Sequence, residues 1–143
     1  MFIGEYKHNL DNKGRLAVPS KFRSQLEQGA VVTKGLDNCL FLYSKEKWEE
    51  VAKKYANLPV SQASARAFAR QMLAGAMEVD FDAQGRITLP EYLRVFAKLD
   101  KKAVVAGLYD RLEIWDEAEW DIYKNSTESE STEIAERLGE LGV

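Results

Sequence analysis

Two arginines stand out among the groups that could do chemistry, because each closes the same turn, Asp-x-x-Gly-Arg, once at residues 11–15 and again at residues 82–86. In such a turn the aspartate accepts hydrogen bonds from the backbone ahead of it, and glycine supplies a left-handed bend at low steric cost. Arg15 and Arg86 are thereby projected outward. Their planar fork matches phosphate oxygens and the guanine edge bidentately. Asp11 and Asp82 would be repelled by a polyanion, so with Gly14 and Gly85 they are assigned to shaping the turn and orienting the two arginines. The plainer alternative is a structural Asp–Arg ion pair, which is worth little on a surface. The surrounding charge favours anion binding. Residues 1–24 hold Lys7, Lys13, Arg15, Lys21 and Arg23 against Glu5 and Asp11, and residues 86–102 hold Arg86, Arg94, Lys98, Lys101 and Lys102 against Glu91 and Asp100. The net charge of −3 hides this, because the last 19 residues carry five glutamates against Arg137 alone. Lys13, Lys7, Arg23 and Arg94 are the cations expected to help Arg15 and Arg86 neutralise phosphates.

Catalytic readings lack residues. His8 is the one histidine and Cys39 the one thiol, and they fall in different elements. No phosphate-binding Gly-x-x-x-x-Gly-Lys-Ser/Thr loop, dinucleotide fingerprint, His-Glu-x-x-His helix or calcium loop occurs. No pair of acids is marked for general acid and base work. The expectation is a non-enzyme without metal or cofactor, with Cys39 a small buried strand residue. Trp48, Trp115 and Trp120, with Tyr43 and Tyr55, could stack single-stranded bases, but their places at strand ends and on helix faces suit core or subunit contacts better. The chain has 143 residues, 45% hydrophobic and 30% charged, the composition of a soluble globular protein of one ordinary domain or two small ones. No apolar run reaches the roughly 20 residues of a membrane span. The absence of a secretory start and the lone cysteine lead to the expectation of a cytoplasmic protein.

The elements that must carry these arginines follow from a duplication. Residues 10–23 and 81–94 share Asp, Gly, Arg, Pro and Arg at five of 14 positions, at an offset of 71. Four further positions exchange one apolar residue for another. The correspondence resumes at offset 72 from Gly35/Gly107 to Trp48/Trp120. In each copy an extended segment, 5–10 or 76–81, enters the turn. A short strand follows, Leu16-Ala17-Val18 or Ile87-Thr88-Leu89, then a proline that favours a helical turn. Strands are predicted next at 30–33 and 103–106, and at 39–43 and 111–115. Ser44 is a predicted N-cap for a helix to about residue 57, Ser61 for a second to about 74, and Asp116 for a third bearing Trp120 and Tyr123. The chain thus divides into a first β-rich unit (1–50), a helical connector (51–75), a second unit (76–124) and an acidic tail (125–143). Ile134, Leu138 and Leu141 could line a weak amphipathic helix in the tail, but fraying is the favoured expectation.

Four short strands cannot close a barrel, so the two units are expected to interleave their hairpins, leaving edges for neighbouring subunits. Two similar surfaces on one chain allow head-to-tail contacts that close into rings.

With its paired Leu10-Asp11-Asn12-Lys13-Gly14-Arg15 and Phe81-Asp82-Ala83-Gln84-Gly85-Arg86, each followed by a strand and proline (Pro19, Pro90), and with Gly4-Glu5-Tyr6, the chain resembles the MraZ family of bacterial transcription regulators over about residues 1–124. The resemblance implies two SpoVT-AbrB (swapped-hairpin) domains: an α+β, mainly β fold, a duplicated barrel with flanking helices. It also implies a DNA-binding Asp-x-x-x-Arg signature at Asp11/Arg15 and Asp82/Arg86, and a ring-like homo-oligomer. The partner it implies is double-stranded DNA, as direct repeats in the promoter of the division and cell-wall gene cluster. Autorepression and a place on the nucleoid follow. Ala83-Gln84 in place of Asn12-Lys13 leaves the second loop one cation poorer, and the acidic tail is expected to lie outside the resemblance. Two other readings stay open: an oligomeric scaffold whose Asp–Arg pairs are only structural, and a small hydrolase using paired acids.

Overall fold

The computed structural model describes residues 1–142. The fold is α+β, 42% helical and 29% strand. The first repeat supplies β1 (Phe2–Asn9), β2 (Arg15–Ala17), α1 (Ser20–Arg23), β3 (Ala30–Lys34), β4 (Leu40–Ser44) and α2 (Lys45–Ala56). After α3 (Ala63–Ala69) and a π-helical turn (Arg70–Ala74), the second repeat supplies β5 (Met77–Val79), β6 (Arg86–Thr88), α4 (Glu91–Phe96), β7 (Lys102–Tyr109), β8 (Leu112–Asp116) and α5 (Glu117–Glu128). A short helix, α6 (Ser131–Arg137), follows in the acidic tail.

The repeats exchange strands. The six-stranded antiparallel sheet runs β1-β7-β8-β4-β3-β5, so β1 of the first repeat pairs with β7 of the second and β5 of the second with β3 of the first. Two places lie on a pseudo-twofold axis. At one, β4 meets β8 with Phe41 opposite Glu113; at the other, β2 meets β6 in a separate two-stranded ribbon with Leu16 opposite Ile87. The interleaving expected from the sequence is therefore realised within one chain. Register also refines the repeat. Ala30 sits opposite Val79 and Ser44, and Ala103 opposite His8 and Asp116, so β3 matches β7 at an offset of 73, that of the strands expected at 30–33 and 103–106, while β4 matches β8 at 72. The second β-hairpin is thus the tighter one.

The core lies between the sheet and the ribbon. Leu16, Val18, Phe22 and Leu26 of the first repeat and Ile87, Leu89, Leu93 and Ala97 of the second are all buried there. Period-two alternation in each ribbon strand sends one apolar residue inward and its two neighbours outward. Behind the sheet a second cluster gathers Cys39, Phe41, Tyr43, Met72, Val104 and Trp115 under α2, the π-helical turn and α5. Trp48, Tyr55 and Phe68 continue it as edge and tilted aromatic contacts, and Trp120 and Tyr123 cover Trp115. The aromatic residues thus pack as core, and the Cys39 thiol is buried, with its ionisation pushed far up by desolvation.

Helix caps agree with the sequence at two of three places. Ser44 accepts from the Lys47 amide and Asp116 from the Glu119 amide. Ser61 does not cap. Pro59 starts a turn closed by the Gln62 amide, which delays the next helix to Ala63 with Gln62 as an uncapped N-cap. In the tail, α5 runs on past residue 124 to Glu128. In and beyond α6, Leu138 and Leu141 are exposed, while Ile134 is half-buried. No helix among the described residues is long and apolar enough to cross a membrane.

Candidate nucleic-acid interface

Each signature turn is built by the carboxylate that precedes its arginine. Asp11 Oδ1 accepts the Lys13 amide at 3.0 Å and the Arg15 amide at 2.8 Å, while Oδ2 accepts Arg15 Nε at 2.6 Å. Asp82 repeats this with the Gln84 and Arg86 amides and Arg86 Nε, all at 2.9 Å. Gly14 and Gly85 take φ of 80° and 75°, left-handed values that L side chains rarely adopt. Both glycine amides close the bend onto the aspartate carbonyl at 3.0 Å.

The ion-pair alternative is therefore geometrically real, but it uses only one edge of each guanidinium. Nε–H is donated to the aspartate, and among the described residues the terminal nitrogens of Arg15 and Arg86 make no hydrogen bond. Arg86 Nη1 lies 3.8 Å from Asp11, so the two loops are neighbours. Both arginine side chains remain about one-third exposed, at 33% and 28%.

Direction follows from the ribbon. Leu16 and Ile87 are opposite each other and fully buried, so the flanking Arg15, Ala17, Arg86 and Thr88 all project from the other face. Arg15 and Arg86 are then diagonal neighbours across the strands, a spacing of about 7–8 Å. The second repeat thus sets a second guanidinium beside the first, on one outward surface.

The helper cations are not equivalent. Lys13 is exposed at the tip of the first loop, with no ion-pair partner among the described residues, and Gln84 stands in its place on the second loop. Lys7 lies on β1, 3.8 Å from Glu117 at the start of α5, a position set by the large sheet rather than by the ribbon. Arg23 and Arg94 donate Nε to the carbonyls of Val18 and Leu89, each at 3.0 Å, and are half-buried. Of the four cations that the sequence groups as phosphate contacts, Lys13 is exposed on the loop of Arg15, Lys7 pairs with Glu117, and Arg23 and Arg94 each give Nε to a backbone carbonyl. No cluster of histidine, cysteine and carboxylate groups able to hold a metal occurs among the described residues.

The two aspartates carry a pH signature. Three donors face each carboxylate, the Arg15 or Arg86 amide being the strongest influence, and hold it below the usual carboxylate range. A lowered folded-state pKa stabilises the fold above the unfolded value, near pH 4, and this contribution is lost as pH falls through the lowered value. Melting temperature measured from pH 5 down to about pH 2.5 should fall more steeply for the wild type than for Asp11→Asn/Asp82→Asn, which starts lower and has no such carboxylates to protonate.

Known proteins place this duplication. The model of the MraZ protein family matches residues 1–71 and again residues 72–140. The chain belongs to the MraZ family. It is 50% identical over 141 residues to the transcriptional regulator MraZ of Desulforamulus reducens, spanning 99% of both chains. Identity to the proteins of the same name from Halothermothrix orenii and Thermoanaerobacter pseudethanolicus is 46% and 47%, over the full length of both. The MraZ match also corrects one expectation: the acidic tail is aligned with the family to residue 140 and is not foreign to it.

Proposed function

We propose that this chain is a transcription regulator that binds double-stranded promoter DNA through the β2–β6 ribbon. Arg15 and Arg86 are its base- and phosphate-reading groups, and Lys13 adds a phosphate contact. The observation that carries this reading is the shared outward face of the two guanidinium groups, each anchored through Nε with its terminal nitrogens making no hydrogen bond among the described residues. A two-stranded ribbon is one of the shapes that B-DNA's major groove admits. An anchored arginine is already oriented, so less side-chain freedom is lost on binding. Phosphate contacts position the protein, and specificity needs at least one arginine on a base edge.

One module alone presents Arg15, Arg86 and Lys13, and the charges of the two arginines are partly offset by Asp11 and Asp82, which limits its affinity. A homo-oligomeric ring presenting the ribbon repeatedly to tandem sites raises the effective concentration of each successive contact. The family resemblance supplies the rest of the reading: direct repeats in the promoter of the division and cell-wall cluster, autorepression, and a cytoplasmic protein associated with the nucleoid.

The test is a footprint on the DNA upstream of the protein's own gene at two salt concentrations. Three phosphate contacts give a log–log salt slope of about −2.7 for one engaged module, hence about a fortyfold loss between 50 and 200 mM salt, and more when several subunits engage. The scaffold alternative, in which the Asp–Arg pairs serve only the fold, predicts no salt-dependent protection.

A further inference from the structure

We infer that Arg23 and Arg94 are positioning residues that brace the signature loops crosswise, the arginine of each repeat holding the DNA-facing turn of the other. The inference deepens the proposed DNA-binding reading and rests on it for its functional consequence. Arg94, at the end of α4, lies against Gly14 of the first loop so closely that a Cβ built there would meet its Nε at 2.8 Å and its Cζ at 3.0 Å. Arg23, at the end of α1, packs on Gly85 of the second loop more tightly still.

Backbone bonds are crossed in the same sense. The Leu89 amide donates to the Gly14 carbonyl at 2.8 Å, and the Val18 amide to the Gly85 carbonyl at 3.2 Å. Leu89 and Val18 are also the residues whose carbonyls receive Arg94 Nε and Arg23 Nε. Each planar guanidinium therefore sits between the strand end of its own repeat and the glycine of the opposite loop. The left-handed glycine is needed for the bend and also to leave room for this plate. A lysine keeps the charge but has neither the flat face nor an Nε–H at that distance along its stem.

Bracing and phosphate contact predict different results for charge-conserving substitutions. If Arg94 reached phosphate, Arg94→Lys would keep most of the affinity, and Arg94→Ala would make the salt slope shallower by about 1. Bracing predicts that Arg94→Lys weakens promoter binding about tenfold at fixed salt, within the range for coupled neighbours, and leaves the slope at its wild-type value.

A DNA-free measurement accompanies it: exchange of the Arg15 and Arg86 Nε protons by NMR on the full chain. Arg94→Lys should speed exchange at Arg15 more than at Arg86, and Arg23→Lys at Arg86 more than at Arg15. A uniform loss of stability would speed both equally. Unchanged Nε exchange in both lysine variants, or a shallower slope with undisturbed loops, overturns the inference. If the wild type fails to bind the duplex, the regulatory reading falls, and the crossed exchange pattern still decides the brace. Arg23→Lys and Arg94→Lys are independent copies, so a folding failure in one leaves the other to decide.

Discussion

Arg15→Ala/Arg86→Ala loses specific promoter binding while its melting temperature and oligomeric mass stay close to those of the wild type. A bidentate arginine on a base edge discriminates by about 1–3 kcal/mol, so removing two from one module costs about 2–6 kcal/mol, or roughly thirtyfold to twenty-thousandfold. Stability is nearly indifferent because each guanidinium is about one-third exposed and makes one Nε bond to its aspartate. Such exposed pairs contribute about 0.2–1 kcal/mol. Asp11 and Asp82 keep their backbone amide donors in the variant, so the turns persist. Fluorescence anisotropy with the promoter duplex and with a scrambled duplex of equal length checks the prediction. Wild-type affinity in the double variant would leave the arginines as structural partners of their aspartates. Arg15→Lys/Arg86→Lys adds a second readout: the charge stays and the fork is lost, so the two duplexes should be bound with nearly equal affinity.

The turns, the short strands after them and the caps at Ser44 and Asp116 are legible because each is decided within a few residues. Asp, Gly and Arg at fixed spacing specify a bend whatever surrounds it, and the second copy at residues 82–86 marks that bend as a repeated device. Strand partners are a different matter. The hydrophobic pattern of β1 is equally consistent with pairing inside its own repeat or with β7, since both repeats present the same alternation. Only the closed sheet decides that Lys7 faces Val104 across the ladder and meets Glu117 beside it.

The orientation of Arg23 and Arg94 escapes the sequence for a physical reason too. Net charge locates Arg23 and Arg94 in basic segments but says nothing about where Nε donates. A signal for that donation does exist in the sequence. Each lies four residues after the proline that ends the ribbon strand, on the same helical turn, in both repeats. That spacing returns the side chain toward the preceding carbonyl, and a surface phosphate contact would not require it twice. Ser61 fails as a cap for an equally local reason, since the turn begun by Pro59 uses up the first residues after it.

Phe22→Ala is the substitution expected to cost the fold most, about 3–5 kcal/mol. Phe22 is 2% exposed and meets Phe2 and Tyr6 edge-on, with ring centroids 5.3 and 5.4 Å apart. Phe2 and Tyr6 belong to β1, the strand that the first repeat lends to the second, so Phe22, on α1, ties the first repeat's helical turn to the exchanged strand. Its counterpart, Leu93, is also fully buried but has no ring with which to make such edge contacts, and the strand exchanged in its half, β5, has three residues against the eight of β1. Leu93→Ala therefore belongs in the range of about 2–5 kcal/mol, and at its lower end, because less of the exchange depends on it. Urea unfolding of both variants gives the ranking. Hydrogen exchange gives the mechanism: in Phe22→Ala the amides of β1 that bond to β7 should exchange fastest, while β4 and β8 at the pseudo-twofold axis keep most of their protection. Equal acceleration across the whole sheet, or a loss below about 1 kcal/mol, would mean that the exchanged strand is held by its backbone ladder alone and that Phe22 fills space without fastening it.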